Sequence, residues 1–523
     1  MIILGRLADF PSGEMREVEV AGHKILLVRQ GDDVTAIGAI CSHAGGPLVQ
    51  GVLAEGRVVC PWHKAAFCTR TGKRLDPPAV DDVPAFSVGV QNGEIVLKTP
   101  KPVPHVAHES GPADARCFVI LGAGAAGFSA AQELRRSGFT GTITLVSQED
   151  ALPYDRTVLS KYFLSGQQSG EKTPLQDDEF YVTQNIIRRT AKIISLDPEK
   201  KRIGLADGHE LLYDAALIAT GGAIVPPPFP GSDLGNVFTL RSQADAVRIV
   251  QAAAQSRRAV VIGASFIGME VAAALRERGL DVTVVAEESA PFEHQLGSVI
   301  GNVYREIHQE KGVKFRFGTR VEHLAGQGQV QTVMLEGGER LQTDLVIAGL
   351  GVRPATTFVK ALTRGPDHAV VVDRNMRLGE DLYAAGDIAA FPIYGDNPLI
   401  RVEHWRVAEQ QGCVAARNMM GVAESFDAVP YFWTIQYMIR LDYVGHASGD
   451  DTLVIRGDLG KRKFIVYYLR AGMVAAAAGM DQDKDMAAII VLMNRRRNWT
   501  VDEIHPQGAS PYAVLENLCK TML

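Results

Sequence analysis

One structural unit occurs twice in this chain, and it sets the architecture. Cys117 to Leu121 is a short apolar run that leads into Gly122-Ala-Gly124-Ala-Ala-Gly127, an Ala-rich helical stretch to about Arg136, and a second apolar run, Thr142 to Val146. The same order returns 141 residues later: Ala259 to Ile262, then Gly263-Ala-Ser265-Phe-Ile-Gly268, a helix to about Arg278, and Asp281 to Val285. Strand, glycine turn, helix and strand in that order build a parallel sheet flanked by helices. Each unit is followed by an apolar strand ending in glycine, Ala216 to Gly222 and Leu345 to Gly351. A further strand and glycine-acid turn, Asp381 to Asp387, lies beyond the second unit, so the second is predicted to be inserted within the first.

The glycine turns carry a chemistry. Gly122 makes the tight turn, Gly124 lets backbone approach a pyrophosphate, Gly127 lets helix and strand pack closely, and the helix N-terminus offers unpaired N–H groups to phosphate. This context points to dinucleotide binding. Glu149, 22 residues beyond Gly127, is the candidate for the ribose hydroxyls, a solvated surface glutamate being the alternative. In the second unit Ser265 occupies the middle glycine position between Gly263 and Gly268, and a second nucleotide is still expected. Glu287 stands at the end of that unit's second strand, one residue displaced, where a carboxylate accepts from a ribose 2′-hydroxyl and repels a 2′-phosphate. No Arg stands at this strand end in the sequence, so NADH is expected over NADPH.

Residues 1–100 read differently, as short alternating runs such as Lys24 to Val28, Val34 to Ile37, Val58 to Cys60 and Ile95 to Leu97, broken by Gly, Asp and Asn. That is the pattern of a small antiparallel β domain. Cys41-Ser-His43 and Cys60-Pro-Trp-His63, 16 residues apart, place two thiolates and two imidazoles in loops after strands. Such a set holds metal, and a structural Cys₂His₂ zinc site is one reading. With Gly46-Pro47-Leu48 between the loops, the pattern resembles a Rieske [2Fe–2S] centre, in which two thiolates hold one iron and two histidines the other. Rieske proteins of respiratory complexes carry an extra cysteine in each ligand loop, and here those positions are Gly46 and Trp62. The resemblance therefore implies the ferredoxin type, toward the low end of roughly −150 to +300 mV. Lys64 replaces the glycine usual after CPWH, and Cys68 reads as a small buried residue rather than a further ligand. Residues 101–115, with Pro102, Pro104, Gly111 and Pro112, read as a linker of at most about 50 Å.

Several spaced motifs extend the resemblance along the whole chain. Leu152-Pro-Tyr-Asp-Arg156 with Leu159-Ser160-Lys161, Ala219-Thr220-Gly221, Gly351 to Pro354, Ala384 to Asp387 and Glu403 to Gly412 resemble the flavoprotein ferredoxin reductases of Rieske oxygenase systems and the apoptosis-inducing-factor-like proteins. The resemblance implies FAD at the first site and NADH at the second. It implies that Asp387 contacts the ribityl and phosphate part of FAD and that Arg156 contacts its phosphates or adenine side, with Thr220 and Gly221 also at the cofactor. Lys161 and Glu270 match a pair beside the flavin, and Trp405, with Glu403 and His404, borders the flavin and nicotinamide rings. Core packing is the other reading of Trp405, and a solvated helix charge that of Lys161. Thr157-Val158 replace the paired prolines usual in this motif, which implies a less rigid loop.

The resulting expectation is a multidomain chain: an all-β Rieske domain over 1–100, a linker over 101–115, and two Rossmann-like α/β domains in a glutathione-reductase-like arrangement. The FAD-binding domain takes 116–245 and 371–428, the NAD-binding domain 246–370, and an α+β C-terminal reductase domain 429–523. A net charge of −6 with 22% charged residues excludes a nucleic-acid-binding polycation. The longest apolar candidate, Met473 to Gly479, is too short to span a membrane. Met1 to Phe10 carries no export signal, so a cytoplasmic location is expected. No two of the six cysteines have the CxxC or Cx₄C spacing of a disulfide reductase, and neither GxSxG nor HExxH occurs. Electrons are thus expected to pass from NADH through FAD to the cluster and on to an acceptor such as a ferredoxin or oxygenase component, with Lys161, Glu270 and Trp405 at the reacting centre. Direct reduction of a small acceptor, or a redox-responsive interaction protein, are the alternatives.

Overall fold

The computed structural model describes residues 1–103, 114–168, 174–359, 364–395 and 398–520. Residues 104–113, the greater part of the expected linker, lie outside them. Three antiparallel sheets form the N-terminal region, the longest strands being Met15–Val20, His23–Gln30 and Asp33–Gly38. Leu26, Val28 and Ile37 share one buried cluster with Cys41 and Cys60, while Ile25, Leu27 and Ala36 belong to another. Alternation in the sequence thus divides these strands between two small cores.

Both repeated units form as read. Cys117–Leu121 is the third strand of a six-stranded sheet, with Thr142–Ser147 and Ile186–Thr190 on one side and Ala215–Ile218, Leu382–Ala384 and Arg377–Gly379 on the other. All neighbours are parallel except the last pair. Arg258–Ile262 is the central strand of a parallel five-stranded sheet that also holds Leu345–Ala348 and Asp281–Ala286. Leu382–Ala384 returns to the first sheet after the whole second sheet has been made, so the second unit is inserted in the first.

The last region is a five-stranded antiparallel sheet followed by helices, Asp483–Arg495 the longest. Met473–Met480, which the sequence offered only as an Ala-rich apolar run, is its central strand. This sheet is buried on both faces. Phe432, Leu441, Phe464 and Val466 share a core with the second nucleotide sheet, whereas Tyr431, Ile465 and Tyr467 share one with the Asp483–Arg495 helix and with Val52, Val59 and Ala66 of the N-terminal region. A strand covered on both sides needs no alternation, which is why Met473–Met480 carried no strand signature. Among the described residues no helix is long and apolar enough to cross a membrane.

Candidate functional site: a nucleotide cavity joined to a thiolate–imidazole centre

The two metal-candidate loops have the same closure. Cys41 N–H donates to Gly46 O at 2.8 Å, and Cys60 N–H donates to Ala65 O at 2.8 Å, so each ligand pair sits in a tight backbone loop. The sulfurs of Cys41 and Cys60 share a hydrogen bond, which lowers the Cys60 thiol to about 7 and raises that of Cys41. The Nδ1 atoms of His43 and His63 approach to 3.0 Å. Two nitrogens so placed can share one ion at metal–nitrogen distances of about 2.0–2.1 Å. Burial pushes both imidazoles below their ordinary range, toward the neutral form that ligates metal. Sulfur therefore meets sulfur and nitrogen meets nitrogen. This pairing of like donors suits two irons with unlike ligands. A Cβ on Gly46 would stand 2.8 Å from Cys60 Sγ and 3.2 Å from the Trp62 ring, so Gly46 and Trp62 face each other across the two loops. Cys68 lies on the next strand and is only partly buried.

The glycine motifs repeat their geometry as closely as their sequence. Gly122 takes φ +113°, and a Cβ there would meet Ala219 O at 2.2 Å; a Cβ on Gly127 would meet Gly122 O at 1.8 Å. Gly263 and Gly268 reproduce both contacts, at 2.4 Å to Gly349 O and 2.1 Å to Gly263 O. The middle position differs. Gly124 has φ −78° and open space around its missing Cβ, and Ser265 takes the same φ of −78°. The fold tolerates a side chain there, and neither residue caps its helix with a side chain, which leaves first-turn N–H groups for a ligand.

A cavity of about 800 Å³ opens between the two motif helices and the last sheet. Gly122 and Gly124 reach it, as do Thr220, Gly221 and Asp387. Gly127 lies behind them in helix–strand packing. Glu149 and Arg156 line its far end and are paired, Glu149 also accepting from Tyr154 OH at 2.7 Å. Asp387 pairs with Arg241 at 3.5 Å. Glu403, His404 and Trp405 form one wall. Burial, then Asp387, raises the Glu403 carboxyl, and burial lowers His404 to about 3. Trp405 both lines the cavity and packs on the core of the first sheet.

Lys161 is no solvated helix charge. It lies in a wide helical turn, Leu159–Phe163, of the kind found at functional sites, and its side chain is 9% exposed. Its Nζ stands 2.9 Å from Glu270 Oε2. Thr434 Oγ1 donates to Glu270 Oε1 at 2.7 Å, and Ser160 Oγ donates to Glu270 Oε2. In place of the absent prolines, Asp155 accepts from Thr157 N–H at 2.8 Å and holds the preceding turn.

The second motif is brought to the cavity only in part. Phe266, Ile267 and Glu270 of its helix line the space, while Gly263, Ser265, Gly268 and Glu287 do not. Glu287 is largely exposed and pairs with Arg320 at 2.7 Å. The expectation that no Arg reaches this strand end is thus corrected: Arg320 comes from a distant turn that spacing along the chain does not reveal.

Foremost among the residues that sequence reasoning missed is Trp433. Its indole lines the cavity and packs on the His63 imidazole with ring centroids 4.5 Å apart, and on His43 at 6.2 Å. The aromatic density of Tyr431 to Tyr437 was the only available signal.

Residues 117–412 match the family described as pyridine nucleotide-disulphide oxidoreductase, residues 1–87 the Rieske [2Fe-2S] domain, and residues 431–509 the reductase C-terminal domain. Apoptosis-inducing factor 3 of Mus musculus is 36% identical over 91% of this chain and 81% of its own. Rhodocoxin reductase of Rhodococcus erythropolis is 36% identical over 72% of this chain and 89% of its own. The crystal structure of the covalent putidaredoxin reductase–putidaredoxin complex superposes with a TM-score of 0.74 at 30% identity, covering 78% of this chain and 100% of that one.

Proposed function

Because the chain belongs to the pyridine nucleotide-disulphide oxidoreductase family and carries a Rieske [2Fe–2S] domain, we propose that its two redox sites work in series, from NADH through FAD to the cluster and outward to a one-electron acceptor. The chain is an FAD-dependent NAD(P)H oxidoreductase. When bound, FAD would supply two-electron hydride acceptance with single-electron release, and the cluster one-electron carriage. Oxidation of one NADH thus reduces two equivalents of acceptor and releases one proton.

The remaining steps belong to side chains. Gly122 and Gly124 open backbone N–H groups to the FAD pyrophosphate, with Asp387 and Glu149 toward its sugar portions. Lys161 sets a cation at the cavity wall, where it stabilises negative charge that develops beside it, and Glu270 holds that cation in place. Trp405 and His404 line the cavity and keep water from it. Glu287 supports NADH over NADPH, with Arg320 already on its carboxylate. Cys41, Cys60, His43 and His63 would hold the cluster.

The observation that carries the reading is Trp433, one ring in contact with both sites. Relatives are named as reductases of rhodocoxin and putidaredoxin, which supports a ferredoxin-type or oxygenase protein as the acceptor. Anaerobic mixing of holoprotein with NADH, followed at flavin and cluster wavelengths, tests the series. Cluster bleaching that follows flavin bleaching supports it; a cluster that stays oxidised after excess NADH has fully reduced the flavin refutes it.

A further inference from the structure

Lys64 stands where the ligand loop calls for glycine. Its φ is +63°, in the left-handed region that a side chain disfavours, and its side chain is wholly buried. The ammonium leaves its own domain. Nζ donates to Asp442 Oδ2 at 2.7 Å in the last sheet and stands 3.3 Å from Asp483 O, at the start of the helix behind it, while Pro61 O at 2.5 Å ties it back to the ligand loop. Asp442 is 2% exposed and also accepts from Tyr431 OH at 2.8 Å, a hydroxyl lying 3.0 Å from Trp62 O. From the flavin side, Arg406 donates to Lys64 O at 3.2 Å and to Pro77 O at 2.8 Å. The loop that carries Cys60 and His63 is therefore gripped at its backbone by one domain and at its side chain by another.

A buried ion pair adds little net stability once desolvation is counted, and its best-attested use is to fix one arrangement among several. The apolar contact beneath it, Val52, Val59 and Ala66 against Tyr431 and Ile465, holds the domains together but is non-directional. We propose that Lys64 and Asp442 are positioning residues that lock the ligand loop in the register placing His63 on Trp433, so that electrons enter the cluster in the docked state, without release of the N-terminal domain. This rests on the in-series reading above. Each hydride delivered leaves the cavity as two single electrons through the cluster to two equivalents of a one-electron acceptor, and one proton goes to solvent.

The test uses full-length holoprotein, wild type, Lys64→Met and Asp442→Asn, mixed anaerobically with NADH in buffers of rising sucrose viscosity, with hydrogen exchange of segments 60–66 and 440–445 followed in parallel. The lock predicts a wild-type cluster-reduction rate unaffected by viscosity or protein concentration. In both variants it predicts unchanged flavin reduction, an unchanged cluster paramagnetic-resonance spectrum, cluster reduction slower by about tenfold or more and viscosity-dependent, and faster exchange in both segments. Wild-type cluster reduction that falls in proportion to viscosity, or variants with the wild-type rate and protection, overturns it. Should Lys64→Met fail to load its cluster, Asp442→Asn decides, since it alters no residue of the ligand loop. A wild-type cluster that NADH never reduces, in a protein whose two segments are protected and lose protection in the variants, supports the lock and refutes the in-series reading.

Discussion

Thr434 donates to Glu270 across the junction of two domains, 2.7 Å from hydroxyl to carboxylate, while the residue before it on the same strand, Trp433, packs on His63. Successive side chains of a strand point to opposite faces. One strand thus touches the Lys161–Glu270 pair with Thr434 and the imidazoles of His43 and His63 with Trp433. The C-terminal sheet joins the nucleotide cavity to the two Cys–His loops.

Trp433→Leu is expected to separate them. NADH-driven flavin reduction should stay within about twofold of wild type, and cluster reduction should slow by about 10- to 100-fold, the range found when an outer-shell partner is lost at a metal site. Rapid-mixing absorbance at two wavelengths checks both values in one trace. Equal slowing of both steps would place the indole at hydride transfer instead.

Lys161→Met should slow flavin reduction by about 10²- to 10³-fold, the cost of removing one preorganised charge-stabilising group. Thr434→Val removes one donor to a charged partner, worth about 1.5–3 kcal/mol, and should slow the same step by roughly ten- to a hundredfold, leaving the cluster spectrum unaltered. Single-turnover mixing at saturating NADH is the measurement.

Coenzyme choice is expected to turn on the Glu287–Arg320 pair. Glu287→Ala frees Arg320, and a free guanidinium near a ribose 2′-phosphate gains a charge-assisted bond of about 1.5–3 kcal/mol. The NADPH/NADH ratio of kcat/KM should rise about ten- to a hundredfold and fall back in Glu287→Ala/Arg320→Ala. An unchanged ratio in both would remove this strand end from coenzyme recognition.

Glu409 gives the stability of the protein a pH dependence of known sign. Its side chain is 2% exposed in the helix that begins at Trp405, and burial first, then Asp155, pushes its carboxyl from 4.5 up to about 8. The folded state therefore binds more protons than the unfolded chain between those values. Stability from this group is fully present below about 4.5 and is lost as pH rises toward about 8, at no more than about 1.4 kcal/mol per pH unit. Unfolding midpoints from pH 5 to 8 should fall more steeply in wild type than in Glu409→Gln, and parallel curves would contradict the assignment.

Much of this site was legible because its chemistry is local in sequence. The cysteine–histidine loops and both glycine turns each lie within a few residues, so spacing alone revealed them. What escaped were contacts made by folding: Lys64 with Asp442, His63 with Trp433, Glu287 with Arg320. None has a spacing that helix or strand periodicity would mark. The Met473–Met480 strand escaped for a different reason, since burial on both faces erases the alternation that identifies a strand. Lys64 was visible as a departure from pattern, but its meaning required the partner domain.

If both prosthetic groups draw on one electron supply, anaerobic titration with NADH reports the sum of their electrons. FAD holds two electrons and the cluster one, so full bleaching should need about 1.5 NADH per chain, with flavin and cluster signals both lost by that endpoint. An endpoint near one NADH per chain, with the cluster still oxidised, would contradict the account.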